Sequence, residues 1–106
     1  MTVQEINRLI TSERALCLYF TTTNCSVCKV VKPRIRNLME DKFPMVRFEE
    51  ILLDKNPSAA REYSVFTAPT IVIYFEGKEW RRKSRVFSVE ALEKEMARPY
   101  KIMSGH

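Results

Sequence analysis

Near the start of the chain, the residues Ala15-Leu16-Cys17-Leu18-Tyr19-Phe20 are apolar without interruption, with polar residues on either side. A run of this length reads as a β-strand, and because successive side chains of a strand point to opposite faces, both faces of this one have to be covered. A sheet with one face open to water is therefore ruled out. Helices are needed on both sides, and the flanking sequence supplies them.

Thr2 and Glu5 have the spacing of a capping box, and Val3, Ile6, Leu9 and Ile10 follow at helical intervals, which predicts an opening helix that ends near Thr11-Ser12. After the strand, the polar Thr21-Thr22-Thr23-Asn24 leads into a helix that begins at Cys25 and runs to about Asp41. Val27, Val30, Val31, Ile35, Leu38 and Met39 are read as its apolar face, and Pro33 is expected to bend it. Met45 to Leu53 reads as a second strand, and Asn56-Pro57 opens a short helix to about Tyr63. Thr70 to Phe75 is a third strand, which Glu76-Gly77-Lys78 turns back into a fourth, Glu79 to Val86. Ser88 caps a last helix carrying Val89, Leu92 and Met96, predicted to break at Pro99; the tail to His106 shows no clear pattern, and His106 is expected to be disordered. The first two strands, joined through a helix, lie parallel if adjacent. The expected fold class is α/β: a three-layer α/β/α sandwich on a central mixed sheet of about four strands, forming a single domain over 1–106.

Composition excludes several other classes. With 45% apolar and 29% charged residues the chain is globular in character, and no run approaches the ~18 to 20 apolar residues that cross a bilayer. Met1-Thr2-Val3-Gln4-Glu5 lacks the basic and then apolar pattern of a secretory leader, so a cytoplasmic location is expected. Three cysteines are an odd number and too few for a stapled extracellular scaffold.

The chemistry is concentrated at Cys25-Ser26-Val27-Cys28, where a strand gives way to a helix. Active groups collect at the carboxyl ends of strands in open α/β sheets, and a helix N-terminus offers unpaired amides and partial positive charge. A thiolate at Cys25 is therefore expected to be stabilised, with Lys29 and Lys32 adding to the field, and the spacing puts Cys28 within disulfide reach. Half of a zinc site is the bland alternative, although only Cys17 and His106 remain as further cysteine or histidine ligands. Cys17, inside the apolar strand, is read as an inert core thiol.

Other landmarks extend beyond the cysteine pair. Pro33 lies within the helix that Cys25 begins, Asp54-Lys55-Asn56-Pro57 leads into the next helix, Gly77 sits in the hairpin turn, and Thr67-Ala68-Pro69-Thr70 enters the third strand. Together with the dithiol they make the chain from about Cys17 to Met96 resemble the thioredoxin family. The resemblance implies the thioredoxin fold and a thiol-disulfide oxidoreductase that reduces protein disulfides, with Cys25 attacking and Cys28 resolving. It also implies a cis peptide before Pro69, and a substrate-binding edge at Ala68, Pro69 and Thr70 that pairs with an extended substrate chain. No metal or organic cofactor is implied. The expected partners are disulfide-containing proteins and a thioredoxin reductase or similar electron donor, a glutathione-driven cycle being the alternative.

The chain also departs from the family pattern. Asn24-Cys25-Ser26-Val27-Cys28 lacks both the flanking aromatic and the central proline of the usual motif. Tyr19 stands where the family buries an acid, either donating a hydrogen bond or filling the core, and Glu50 on the neighbouring strand is a candidate to take over the proton role. Arg85 replaces a glycine in the loop beside the dithiol; it either crowds the groove and favours acidic partners or is a solvated strand-end charge. Two rival readings remain: a thioredoxin-fold binding module with little redox activity, and nucleic-acid binding through Trp80-Arg81-Arg82-Lys83-Ser84-Arg85. Strand alternation splits that run between two faces, and charges on edge strands also prevent aggregation, so nucleic acid is the less expected partner.

Overall fold

The computed structural model describes residues 1–105, in the order α1 (Val3–Ser12), β1 (Ala15–Thr21), α2 (Ser26–Lys42), β2 (Arg47–Leu52), a 3-10 turn (Leu53–Lys55), α3 (Pro57–Glu62), β3 (Thr70–Phe75), β4 (Lys78–Ser84) and α4 (Val89–Ser104). His106, expected to be disordered, lies outside the described residues. The strands form one mixed sheet in the order β2-β1-β3-β4, with β1 parallel to β2 and antiparallel to β3, and β4 antiparallel to β3.

Interior β1 is buried along its whole length, and its alternation divides the core in two. Ala15, Cys17 and Tyr19 face α2 and α4, where they meet Ile71 and Ile73 of β3 with Ile35, Leu38, Met39, Leu92 and Met96. Leu16, Leu18 and Phe20 face the opposite side and pack with Val72, Tyr74, Ile6 of α1 and Ala59 of α3. Local signals set the element ends. Thr2 and Glu5 close the capping box of α1, with N–H to oxygen distances of 2.8 and 3.1 Å, while Asn56 and Ser88 cap α3 and α4. The β3–β4 turn places Glu76 at φ 53° and Gly77 at φ 80°, the left-handed pair that a two-residue hairpin requires.

Several element limits and faces differ from the sequence expectation. α4 is not broken at Pro99 but continues to Ser104. Proline removes one backbone hydrogen bond, and here tertiary contacts beyond it offset the loss: Tyr100 packs edge-on against Phe43 at 5.0 Å, its hydroxyl accepts from the Met45 amide, and Met103 is buried. α2, by contrast, runs through Pro33 to Lys42, within one residue of the expected end. Val27 and Val30 are not on its buried face, which is formed by Cys28, Ile35, Leu38 and Met39; Val30 lies two residues from Cys28, on the far side of the helix. β2 is shorter than expected because Val46 is held in a turn by the Phe43 carbonyl and Leu53 enters the 3-10 turn. β4 ends at Ser84 because Arg85 adopts φ 62°, outside the extended region.

Leu92 is fully buried between α4 and the sheet. Leu92→Ala is expected to destabilise the protein by about 2 to 5 kcal/mol, read as a lower urea midpoint with an unchanged slope.

Candidate active site

Thr22, Thr23 and Asn24 lead from β1 towards α2, and Cys25 occupies the N-cap position of that helix. Its sulfur accepts the Cys28 amide at 3.1 Å, so one of the helix's unpaired donors points at the first sulfur of the pair. Cys25 and Cys28 form a disulfide, with their Cα atoms 5.2 Å apart. Cys25 is partly exposed, whereas Cys28 is only 2% exposed. An incoming sulfur therefore reaches Cys25 first. The loop before it is fixed by Asp54, whose carboxylate accepts both the Thr23 amide at 3.3 Å and the Thr23 hydroxyl at 2.6 Å.

Sheet register brings the second half of the site alongside. Phe20 at the end of β1 pairs with Thr70 at the start of β3, which places Ala68 and Pro69 at the same sheet end as the dithiol. The Ala68–Pro69 peptide bond is cis. Ala68 and Cys25 pack on the same apolar cluster, which includes Cys28. Buried Thr70 donates to the Thr67 carbonyl at 2.7 Å and lies 3.1 Å from the Ser84 hydroxyl, which fixes the segment before Pro69. Arg85, just past the end of β4, fixes it too, its amide donating to the Pro69 carbonyl at 2.8 Å. The left-handed backbone at Arg85 is a conformation glycine adopts without steric cost, which is a physical reason for the glycine of the family pattern.

Tyr19 is fully buried; its hydroxyl donates to the Cys28 carbonyl at 2.8 Å and its ring stacks on Phe48. Burial, with Glu50 nearby, pushes its pKa up to about 12, so it remains a neutral donor. Beside Cys28 a cavity of about 280 Å³ is lined by Thr21, Lys29, Lys32, Glu50 and Lys55 among others. Among the described residues, Glu50 is the only carboxylate in that lining and is paired with Lys32 at 2.8 Å, so of the two lysines expected to act on the thiolate only Lys29 is free of an ion pair there. Cys17 is buried in the sheet and its pKa is raised by desolvation to about 12. The Trp80–Arg85 run is largely engaged within the fold. Arg81 lies over the Trp80 ring and, like Lys83, pairs with Glu95, while Arg82 pairs with Glu79 and donates to the carbonyls of Tyr63 and Ser64.

The sequence does not reveal the Asp54–Thr23 brace, the engagement of Lys32 by Glu50, or the exposure of Val27 and Phe66. Each depends on which loops share one end of the sheet.

A helix-capping, half-exposed cysteine in a disulfide with a buried one, beside a cis-proline loop in a three-layer α/β sandwich, defines a dithiol-disulfide protein. The thioredoxin family model matches residues 1–98, and the chain belongs to the thioredoxin family. It is 30% identical over 100 residues to the thioredoxin-like protein YdfQ of Bacillus subtilis, covering 94% of this chain and 88% of that one. Among solved structures it is similar to oxidised mitochondrial thioredoxin 3 of Saccharomyces cerevisiae, with 29% identity, a TM-score of 0.76 and coverage of 89% of this chain and 87% of the yeast one. Fasciola hepatica thioredoxin gives 29% identity and a TM-score of 0.77, over 94% of this chain and 95% of its own. Family membership and the Cys25–Cys28 pair together identify a thiol-disulfide oxidoreductase in general terms.

Burial predicts the order in which the thiols react. In the reduced, folded protein iodoacetamide is expected to label Cys25 first and Cys28 slowly, with Cys17 labelled only after unfolding; peptide mass mapping reads the order, and early label on Cys17 contradicts it. Burial also fixes the sign of the alkaline response. Cys17 is raised from 9.0, and Tyr19 and Tyr74 from 10.0, each to about 12. The unfolded chain thus releases these protons first, and stability that is complete below about pH 9 declines as the pH rises towards about 12. Cys17→Ala is expected to move the onset of that decline, in urea midpoints, up to about pH 10, where the tyrosines begin to titrate.

Proposed function

We propose that the protein reduces disulfides in other proteins through a Cys25/Cys28 dithiol cycle. The carrying observation is the asymmetry of the pair: an accessible sulfur at a helix N-cap and a buried one in disulfide reach. The Cys25 thiolate attacks one sulfur of the substrate disulfide, forming a mixed disulfide and releasing the other substrate sulfur as a thiolate. Deprotonated Cys28 then attacks Cys25, closing the Cys25–Cys28 bond and expelling the second substrate thiolate. Two electrons pass to the substrate, whose two sulfurs take up protons from water. A thioredoxin reductase, or glutathione, returns the electrons. The proposed setting is the cytoplasm, where such systems keep thiols reduced.

Ala68 and Pro69, beside the dithiol, form the proposed edge on which an extended substrate segment pairs, and Thr70 holds that edge in place. Glu50 is proposed to receive the Cys28 proton through water in their shared cavity, with Lys32 holding the carboxylate and Tyr19 fixing the Cys28 backbone.

The first test is the midpoint potential of the Cys25/Cys28 couple in graded dithiothreitol buffers, read by counting alkylated thiols. A value near about −270 mV supports a reductase, and one near about −120 mV an oxidant. Cys25→Ser is expected to abolish reduction of insulin disulfides, and Cys28→Ser to accumulate a mixed disulfide visible by mass. Partner binding and biological activity that survive replacement of both cysteines would instead favour a binding module. Glu50→Gln is expected to slow resolution of the mixed disulfide about tenfold or more at pH 7 while leaving the first attack intact, the defect closing as the pH rises past about 9. An unchanged pH profile of resolution removes Glu50 from the proton path.

A further inference from the structure

Large apolar side chains are left in water on the segments that flank the dithiol and the proline loop. Val27 and Val30, on the first two turns of α2, are 54% and 66% exposed; Phe66, two residues before Ala68, is 74% exposed; and Val86, beside Arg85, is 94% exposed. Phe66 also forms one wall of a cavity of about 330 Å³ that reaches Ala68 and Thr22. A surface with apolar side chains exposed on several segments near a reactive centre suits the docking of another chain.

Its charge is one-sided. Lys29, Lys55 and Arg85 have no carboxylate within 4.0 Å among the described residues. The acids at this end are already engaged, Glu50 by Lys32 and Asp54 by Thr23. Counting Lys32, four cations face two carboxylates here. The Arg85 amide donates to the Pro69 carbonyl, which anchors the Arg85 backbone beside the segment a substrate would occupy, and its side chain is exposed there.

We propose that the disulfides this protein reduces lie in segments that carry acidic residues next to the cystine, with Lys29 and Arg85 as the residues that select them. The proposal rests on the reductase reading and names its substrate class. The exchange is the one given above: two electrons pass from the Cys25/Cys28 dithiol to the substrate cystine.

Three synthetic peptides test it, each closed by one disulfide and flanked by glutamates, by lysines or by serines. Each is mixed with prereduced protein in a single turnover, acid-quenched and separated by chromatography. At about 20 mM salt the acidic peptide is expected to be reduced about tenfold or more faster than the basic one, with a ratio falling to near unity at about 1 M salt. Lys29→Glu/Arg85→Glu is expected to invert the ratio at low salt; taking a ratio removes any general change in thiol reactivity. Comparable rates for the acidic and basic peptides, or a preference that survives charge reversal, overturn the selection while the serine peptide is still reduced. If no peptide is reduced, including the serine one, the reductase reading itself fails and this proposal fails with it.

Discussion

Burial of β1 on both faces is the constraint from which the rest of the architecture follows. A strand with no polar side cannot lie at an edge or under a single layer, so it becomes interior, with β2 and β3 bonded to its two edges and helices over both faces. Being interior also makes it the rigid support for the chemistry. The cysteine pair follows directly from its end, and the Phe20–Thr70 pairing brings the proline loop to the same place. The reactive sulfur is thus carried on a helix whose buried face is anchored by Ile35, Leu38 and Met39, rather than on a loose loop.

Three chemically equivalent thiols are separated by environment alone. Cys17 is sealed between strands and helices, where desolvation opposes its thiolate; Cys28 is buried but opens on a cavity with lysines and a carboxylate; Cys25 caps a helix at the surface. Position in the fold gives the same side chain three settings: a sealed core residue, a buried disulfide partner and a partly exposed helix cap. The departures from the family pattern sit around this gradient. A tyrosine hydroxyl holds the Cys28 carbonyl at the place of an acid, and the carboxylate that lines the cavity beside Cys28 comes from β2. An arginine at φ 62° replaces a residue that could adopt that backbone freely.

Much of this was legible in the chain before any coordinates. The unbroken apolar run fixed a doubly covered strand, the capping signals at Thr2, Asn56 and Ser88 fixed helix starts, and the adjacent Glu76-Gly77 fixed the hairpin, because each of these depends on a few neighbouring residues. The spacing of Cys25 and Cys28 at a strand-to-helix boundary likewise carried the disulfide and its place. Features that weigh a local cost against distant contacts are not legible in the same way. Pro99 looks like a stop because its lost hydrogen bond is local, whereas the packing of Tyr100 on Phe43 and the burial of Met103 are not. Val27 and Val30 look like core because apolar periodicity does not reveal where the sheet beneath a helix ends.

The sequence by itself thus determined the layer order, the helix starts and the reactive pair, all set by short-range sterics, capping and hydrophobic periodicity. Tertiary structure alone decided which charges are cancelled and which are left free. Lys32 and Lys29 are near neighbours on one helix, yet β2 brings a carboxylate to the first and none to the second. Charge acts through space over distances set by strand register and loop approach, and these exist only once the sheet has formed.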